Sequence, residues 1–472
     1  RNTARMVAAG ASAHSDHARD IVHALHHSKA EGPYKVRDEA KLRRIAAEWE
    51  IADADTKETY ALAHELALMA LEEFGKPFGT QRFLKRAPKA RQEVWARENI
   101  APRAIDMEVT TLMHSTHMGC AADYESLFRR AMRTGMADGW GGSMIGTEFS
   151  DILYGTPTAR ASSSNLGVID AEMVNIMVHG HDPNLSEMVV LAAQNPEMVE
   201  LAKSKGAKGI NIVGMCCTGN EMTMRHGIKI AGNFYQQEMA IITGAIEAVV
   251  VDVQCIFPAL PELAKTYHTR FVSTSPKAKI AGDIFIEFSE ATGLDNAAEI
   301  VKLAVENFPN RDASKVEIPD IKQDTMVGYS VETIIEHLDA VVNSQLEDEL
   351  GTVKPLTDVI YAGVIRGAAG VVGCNNPKQQ HDYAHITVME ELIKRDVICV
   401  VTGCAAQAAA KAGLLTLEAK DKCGRGLKEV CERVNIPPVL HMGSCVDISR
   451  ILHIVNLCAD VRRLGLSSSD VQ

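Results

Sequence analysis

Aromatic residues and long apolar runs are scarce in this chain of 472 residues, and basic residues are fewer than acidic ones. Phe, Trp and Tyr make up 5% of it, and 61 acidic residues against 49 basic ones give a formal net charge of −12. An acidic balance disfavours nucleic acid or an anionic membrane surface as the main partner. No apolar run approaches the roughly 20 residues needed to cross a bilayer, so we expect no membrane span.

Cysteine is the residue whose placement along the chain is most informative. The chain carries 11 cysteines, an odd number in a chain far too long to need disulfides for its stability. Several of them directly follow apolar runs of strand length, and do not lie across loops. Thiols in such positions favour metal ligation in a reducing, cytoplasmic compartment.

The stretch 209–220, with the sequence GINIVGMCCTGN, shows this pattern most clearly. A run rich in Ile and Val ends in two thiols and a glycine-lined turn, which predicts a buried parallel strand. Five further runs follow the same design. Because ligands bind beyond the carboxyl ends of the strands in open α/β sheets, we expect a single buried site at these ends. Its candidate ligands are His181, Cys217, Cys255, Cys374, Cys404 and Cys445.

Periodicity predicts an α/β fold in three parts. Residues 1–157 carry helical spacing of apolar residues and no strand signal, which indicates a helical domain. Residues 158–319 alternate strands with helices, the βαβ pattern of a mostly parallel, Rossmann-like sheet. Residues 320–472 repeat that pattern with only three clear strands, so we expect a second Rossmann-like domain that is incomplete.

Several local predictions accompany this division. A single helix is predicted near 186–203, with a capping-box start at Asn184-Leu-Ser-Glu187. The glycine-rich segment 137–142 predicts a tight turn, which either aims Asp138 into a cavity or simply connects two helices. The predicted strands are 174–178, 209–214, 248–253, 270–273, 370–373, 397–402 and 438–442.

A histidine series lies on the first predicted helix, residues 1–29. His14, His17 and His23 follow one another in multiples of three residues, with Asp20 in phase between them. Steps of three residues drift around a helix by about 60° and rise about 4.5 Å, so these groups spiral along one flank. Histidine is well suited to passing protons near neutral pH. A solvated helix face that is rich in histidine is the alternative.

Five thiolates and one imidazole exceed the four ligands of a structural zinc ion. They suit a polynuclear iron–sulfur centre, in which a histidine can replace one thiolate. An additional metal outside the iron–sulfur cube would use the surplus ligands. The residues alone therefore predict a mixed-metal iron–sulfur catalyst.

The motifs themselves carry a resemblance that covers nearly the whole chain. Together they closely resemble the anaerobic nickel–iron carbon monoxide dehydrogenases. The segments are HSDHAR (14–19), ADGWGGSMIGTE (137–148), VHGHDPNLSEM (178–188), GINIVGMCCTGNEMTMRHG (209–227), VVVDVQCIFP (249–258), VVGCNNPK (371–378), VTGCAAQAAAKAGLL (401–415) and HMGSCVDISR (441–450).

The resemblance implies a helical domain followed by two Rossmann-like domains, and oxidation of CO with water to CO₂, two protons and two electrons, reversible in principle. It implies that the six candidate ligands hold a nickel–iron–sulfur cluster. It places His14 nearest the cluster as an acid/base group, with His17 and His23 leading outward, and Asp20 where a further histidine is usual. Asp138 matches a carboxylate near the reacting iron.

The family also carries features that this sequence does not show. Further cysteines for two more [4Fe–4S] clusters, one shared across a homodimer, would precede Arg1, and a catalytic lysine would follow Gln472. We therefore expect the sequence to be a fragment of a longer product. The implied partners are an electron acceptor such as ferredoxin, and an acetyl-CoA synthase or hydrogenase.

Two other interpretations remain open. A hybrid-cluster protein of the hydroxylamine-reductase type has a related fold, but its cluster uses carboxylates as well as cysteines, whereas every ligand strand here ends in Cys or His. A non-catalytic iron–sulfur scaffold or degenerate paralogue is favoured by the missing lysine and cysteines, and disfavoured by the presence of all six ligands.

Overall fold

The computed structural model describes residues 1–341 and 351–459. The strands in these residues are β1 Arg160–Ser164, β2 Val174–Gly180, β3 Ile210–Met215, β4 Ile230–Gly232, β5 Ile246–Val251, β6 Arg270–Ser273, β7 Ile284–Phe285, β8 Gln323–Val327, β9 Gly367–Val371, β10 Val397–Thr402 and β11 Val439–Gly443.

The α-helices of the first half are α1 Asn2–His26, α2 Glu39–Glu48, α3 Thr59–Gly75, α4 Lys89–Arg97, α5 Ile105–Ser115, α6 Tyr124–Ala137, α7 Ser143–Tyr154, α8 Pro183–Ala193, α9 Pro196–Ser204 and α10 Cys216–His226. Those that follow are α11 Gln236–Ile242, α12 Leu260–Ala264, α13 Gly293–Asn307, α14 Val331–Asp339, α15 Lys354–Tyr361, α16 Tyr383–Ile393, α17 Gly403–Lys411, α18 Arg425–Val434 and α19 Ile448–Cys458.

The chain forms two compact units. One comprises residues 1–156 with the described parts of 338–363 and 446–472, and the other comprises 157–337 and 364–445. The α/β fold class expected from the sequence is confirmed, and the described residues before 157 contain no strand. The division into domains 1–157, 158–319 and 320–472 stays a prediction.

Helix α1 is the centre of the helical unit and packs against α3, α5, α6 and α7. Its buried face is rich in alanine, which lets neighbouring backbones approach closely. An added Cβ at Gly142 would lie 3.2 Å from the backbone nitrogen of Ser15. Elsewhere the unit buries an ion-pair network, in which Asp151 accepts from Lys41 Nζ at 2.7 Å and from Arg450 Nη2 at 2.9 Å.

The tight turn predicted at 137–142 is wrong. Asp138–Gly142 forms a π-helical turn that leads directly from α6 into α7. Three glycines at 139, 141 and 142 leave room for the wider turn against its neighbours. Single π-helical turns within helices frequently mark functional sites.

The larger sheet of the α/β unit has eight strands in the order β7-β6-β5-β2-β3-β4-β1-β8. Its pairs are parallel except β1 with β8. Strand β2 is buried at all seven positions, as expected for a parallel strand with both faces covered. The second sheet has the order β11-β10-β9, and both of its pairs are parallel.

The predicted strands are present, with ends displaced by up to three residues. Four further strands, β1, β4, β7 and β8, escaped prediction because their sequences are short or polar, such as RASSS in β1 and QDTMV in β8. Their pairing depends on neighbouring strands, which local sequence does not reveal.

The single helix predicted near 186–203 is also wrong. The structure divides it into α8 and α9, because Asn195 caps the second helix and Pro196 occupies its first turn. The capping box at 184–187 does not form. Asp182 caps α8 instead, and its side chain accepts from the backbone N–H of Asn184 at 2.8 Å. Apolar periodicity also predicts helices at 330–349 and 446–464, and parts of both lie outside the described residues.

Among the described helices, none combines the length and the apolar character that crossing a bilayer requires.

Candidate metal centre

Three adjacent parallel strands of each sheet lead to the six candidate ligands. In the larger sheet, β5, β2 and β3 are neighbours, and their carboxyl ends lead to Cys255, His181 and Cys217 respectively. In the smaller sheet, β9, β10 and β11 lead in the same way to Cys374, Cys404 and Cys445. Because the strands of each group run parallel, they end at the same edge of their sheet, and the candidate ligands follow at that edge.

Three of these side chains lie close enough to hold a single metal ion. The ligand atoms of His181, Cys217 and Cys445 all lie within 4.8 Å of one another. The two sulfurs of Cys217 and Cys445 are 3.0 Å apart. Cys255 joins this group, with its sulfur 4.0 Å from Nε2 of His181. The structure therefore brings ligands from both sheets to one place.

The remaining two thiols are those of Cys374 and Cys404. Burial is the main cause that raises the pKa of both, and the nearby thiols of Cys445 and Cys255 raise it further, so these two thiols belong to the same neighbourhood. The pKa of Cys374 rises to about 11. Cys404 is buried, whereas Cys374 is exposed on the loop that follows β9. The assignment of all six residues as ligands stays a prediction.

The imidazole of His181 is oriented by the backbone around it. Its Nδ1 lies 3.2 Å from the carbonyl oxygen of Val253. This acceptor fixes the proton on Nδ1, so that the unprotonated Nε2 faces the thiols. The carboxylate of Asp252 accepts from the backbone N–H of His181 at 2.6 Å. Gly180 is required beside it, because an added Cβ would overlap the Asp252 carboxylate.

Cys255 lies on a strained loop that a buried amide holds. Gln254 and Cys255 both adopt the left-handed region, with φ of 66° and 60°, a conformation that non-glycine residues rarely occupy. The Gln237 side chain is fully buried and donates to the carbonyl oxygen of Cys255 at 3.0 Å. Its oxygen accepts from the backbone N–H of Phe257 at 3.1 Å. Gln237 thereby holds the loop from both sides.

Gly403 gives the thiols room. It has a φ of +61°, and an added Cβ would lie 2.8 Å from the sulfur of Cys445. Only a residue without a side chain satisfies both conditions.

The helical unit contains the predicted acid/base residues. The Nδ1 of His14 donates to a carboxylate oxygen of Asp138 at 2.8 Å, and the Ser143 hydroxyl donates to the same oxygen at 2.9 Å. His17 is buried and His23 half-buried on the same helix, α1. The structure thus brings His14 and Asp138 together, although 124 positions separate them in sequence.

The Prismane/CO dehydrogenase family matches residues 1–470. The chain belongs to this family. Carbon monoxide dehydrogenase 1 of Methanosarcina mazei is 51% identical over 474 residues, which cover 100% of this chain and 73% of that protein. The subunit beta of carbon monoxide dehydrogenase/acetyl-CoA synthase from Moorella thermoacetica is 41% identical over 488 residues, which cover 100% and 70%.

Solved structures of carbon monoxide dehydrogenases also match this chain. The Ni-free carbon monoxide dehydrogenase of Thermococcus sp. AM4, produced without the CooC maturase, matches with a TM-score of 0.93 and 49% identity over 100% of this chain and 73% of that one. Carbon monoxide dehydrogenase IV of Carboxydothermus hydrogenoformans matches with a TM-score of 0.93 and 41% identity, over 100% and 75%. The resemblance seen in the motifs is confirmed.

The chemistry of the six candidate ligands shows whether a nickel–iron–sulfur group, as expected in the Prismane/CO dehydrogenase family, fits this site. Thiolates are the ligands of iron–sulfur clusters, and an imidazole can replace one of them. The buried Cys217 has a pKa well above the usual range, because the neighbouring Cys445 thiol and burial both oppose a second negative charge. Thiols crowded in this way are costly to ionise without a cation. The residues therefore fit the group.

Sequence analysis did not single out three residues near the candidate ligands: Asp252, Gln237 and Lys411, the last of which ends the helix α17 that contains Cys404. Asp252 had a visible signal, since it is a charged residue within the apolar run AVVVDV. Lys411 also had one, as the only charge in the helix GCAAQAAAK. Gln237 had none, because its role depends on a loop 18 positions away.

Proposed function

We propose that this chain oxidises CO with water to CO₂, two protons and two electrons, reversibly in principle, at a nickel–iron–sulfur centre. The observation that carries the proposal is the meeting of His181, Cys217, Cys255 and Cys445 beyond their strand ends, in a member of the Prismane/CO dehydrogenase family. The names of the relatives support the same reaction, because each of them includes carbon monoxide dehydrogenase.

The residues that would hold the centre are His181, Cys217, Cys255, Cys374, Cys404 and Cys445. When bound, the group supplies Lewis acidity, a binding place for CO and redox capacity. The chain contributes orientation, because the backbone contact at Nδ1 presents Nε2 of His181 to the metal side. Burial of Cys217 and Cys404 limits the access of bulk water to these two ligand positions.

Proton handling is the second contribution of the chain. Because Nδ1 of His14 donates to Asp138, we propose that His14 exchanges protons at its Nε2, with the carboxylate stabilising the imidazolium. His17 and His23 would continue the route along α1. Asp20 would relay protons through water where a histidine is usual, so we expect altered but not abolished transfer. Asp138 would also orient the imidazole.

The partners follow from the resemblance. We propose a ferredoxin-type electron acceptor, a homodimer, and a cytoplasmic location. An acetyl-CoA synthase partner finds support in the name of the relative from Moorella thermoacetica, and a hydrogenase is the alternative partner.

The test is CO-driven reduction of a viologen dye by full-length protein purified without oxygen and supplied with nickel. We expect dye reduction by the wild type, and its loss together with bound nickel in Cys255→Ala. The matched control is Cys423→Ala, which removes a half-buried thiol outside the six and should retain both. A nickel-replete wild type that does not respond to CO would contradict the proposal.

A further inference from the structure

Lys411 is a buried charge at the end of α17, the helix that begins beside Cys404. Its side chain is only 9% exposed. The ammonium contacts three oxygens at 2.6 Å each, those of Asn233, Gln236 and Asp382. An ammonium has three N–H donors, so all three have acceptors. Lys411 therefore ties three neighbouring side chains to one point.

One of these neighbours leads to the loop of Cys374. Asn375 follows that cysteine directly and forms a reciprocal pair with Asp382. The Asn375 amide donates to the Asp382 carboxylate at 2.8 Å, and the Asp382 backbone N–H donates to the Asn375 side chain at 2.7 Å. Asp382 has a φ of 62°, so this contact requires a strained backbone. Lys411 neutralises the carboxylate on which the pair depends.

A second neighbour leads to the other thiols. The Asn233 amide donates to the backbone carbonyl of Cys404 at 3.3 Å. The next residue, Phe234, donates its backbone N–H to the sulfur of Cys216 at 3.3 Å, directly before Cys217. Asn233 is fully buried. The ammonium therefore joins the segments that precede or follow three of the candidate ligands.

We propose that Lys411 is a positioning residue of the metal centre: its ammonium fixes the loop of Cys374 against α17 and places a positive charge beside a site rich in thiolates. The inference rests on the proposed function for the identity of the metal group, but it concerns how the chain holds that group. Cys374 is the exposed ligand on a loop, and so it is the one that most needs an external anchor.

The charge has a consequence that a purely structural contact would not have. A nearby cation favours the more negative, reduced state of a metal centre, and a nearby anion disfavours it. Removing Lys411 should therefore lower the reduction potential, whereas neutralising Asp382 should raise it. Loosened packing alone would not shift the reduction potential in opposite directions in the two variants.

The experiment compares Lys411→Met, Asp382→Asn and the double variant in full-length protein purified without oxygen. Nickel and iron are counted per chain, and the midpoint potential is measured by titration followed by electron paramagnetic resonance. We expect Lys411→Met to hold less than half of the wild-type nickel and to shift the remaining centre to lower potential. Asp382→Asn should shift it to higher potential, and the double variant should return toward the wild type.

The matched control is Lys41→Met, which removes a lysine that is 4% exposed and paired with Asp151 in the helical unit. It should lower the melting temperature while leaving nickel content and potential unchanged. An equal loss of nickel in Lys41→Met, or single variants at 411 and 382 that shift the potential in the same direction, would overturn the inference. CO-driven dye reduction by the wild type tests the proposed function separately, since the comparison of potentials needs no CO.

Discussion

Replacing Gln237 with methionine should release the loop of Cys255. Methionine has a similar length but lacks the amide, so the change removes hydrogen bonds with little change in volume. The amide nitrogen donates to the carbonyl oxygens of Cys255 at 3.0 Å and Phe234 at 2.7 Å. The amide oxygen accepts from the backbone N–H of Phe257 at 3.1 Å and contacts Nε2 of His179 at 3.0 Å.

The expected magnitude follows from these contacts. Each net hydrogen bond contributes about 1 kcal/mol, and buried groups left without a partner cost about 1–3 kcal/mol each. Four lost contacts therefore lower the free energy of unfolding by about 4 kcal/mol. The strained φ values at 254 and 255, which cost on the order of 1 kcal/mol each, then relax. Cys255 should leave its place, and the nickel content should fall with it.

The assay is the midpoint of urea unfolding together with nickel per chain. Gln92→Met is the matched control, because its amide makes two contacts, to Ala87 at 2.7 Å and Lys85 at 3.3 Å, at a half-exposed position. That variant should lose about 1 kcal/mol or less and keep its metal. A Gln237→Met protein that unfolds at the wild-type urea concentration and retains wild-type nickel would refute the reasoning.

Three further predictions concern the same centre. Gly403→Ala should lose iron and nickel, because the added Cβ would lie 2.8 Å from the Cys445 sulfur. The control is Gly413→Ala, at a φ of +69° with the nearest neighbouring atom 3.3 Å from the added Cβ. This control should lose only about 1–2 kcal/mol of stability to backbone strain and keep both metals. Metal content by elemental analysis distinguishes them, and equal losses would show that the contact with sulfur is irrelevant. Metal affinity should rise as the pH increases from neutral toward the raised pKa of the buried Cys217 thiol, because this thiol is protonated near neutral pH and must release its proton on binding; competition with a chelator measures this, and a flat profile would contradict it. Asp138→Asn should slow CO oxidation by roughly tenfold or more, as expected for a lost acid/base partner of His14, with unchanged nickel, and a proportional loss of metal would instead indicate a structural role.

Most of the fold could be predicted from the sequence, because parallel strands that are buried on both faces have continuous apolar sequences. Strand β2, with the sequence VNIMVHG, is such a run. Strand β1, with the sequence RASSS, gave no signal, because it is stabilised by pairing with β4 and β8 and not by its own side chains. The break between α8 and α9 was overlooked although Asn195-Pro196 marks it.

The candidate ligands could be proposed from the sequence, since each follows a recognisable strand, and their assignment stays a prediction. The residues that support them were not. Gln237 and Lys411 act on loops far away in sequence, through contacts that only the folded chain creates. Polar residues that hold a site in place have no spacing rule, because their partners are set by tertiary structure and not by helix or strand period.

The measurement that bears most directly on the central claim is the nickel and iron content of the full-length protein, purified without oxygen, with CO-dependent dye reduction recorded on the same sample. We expect nickel with several irons per chain, and dye reduction that requires both CO and nickel. Iron without nickel after nickel supplementation, together with no response to CO, would contradict it.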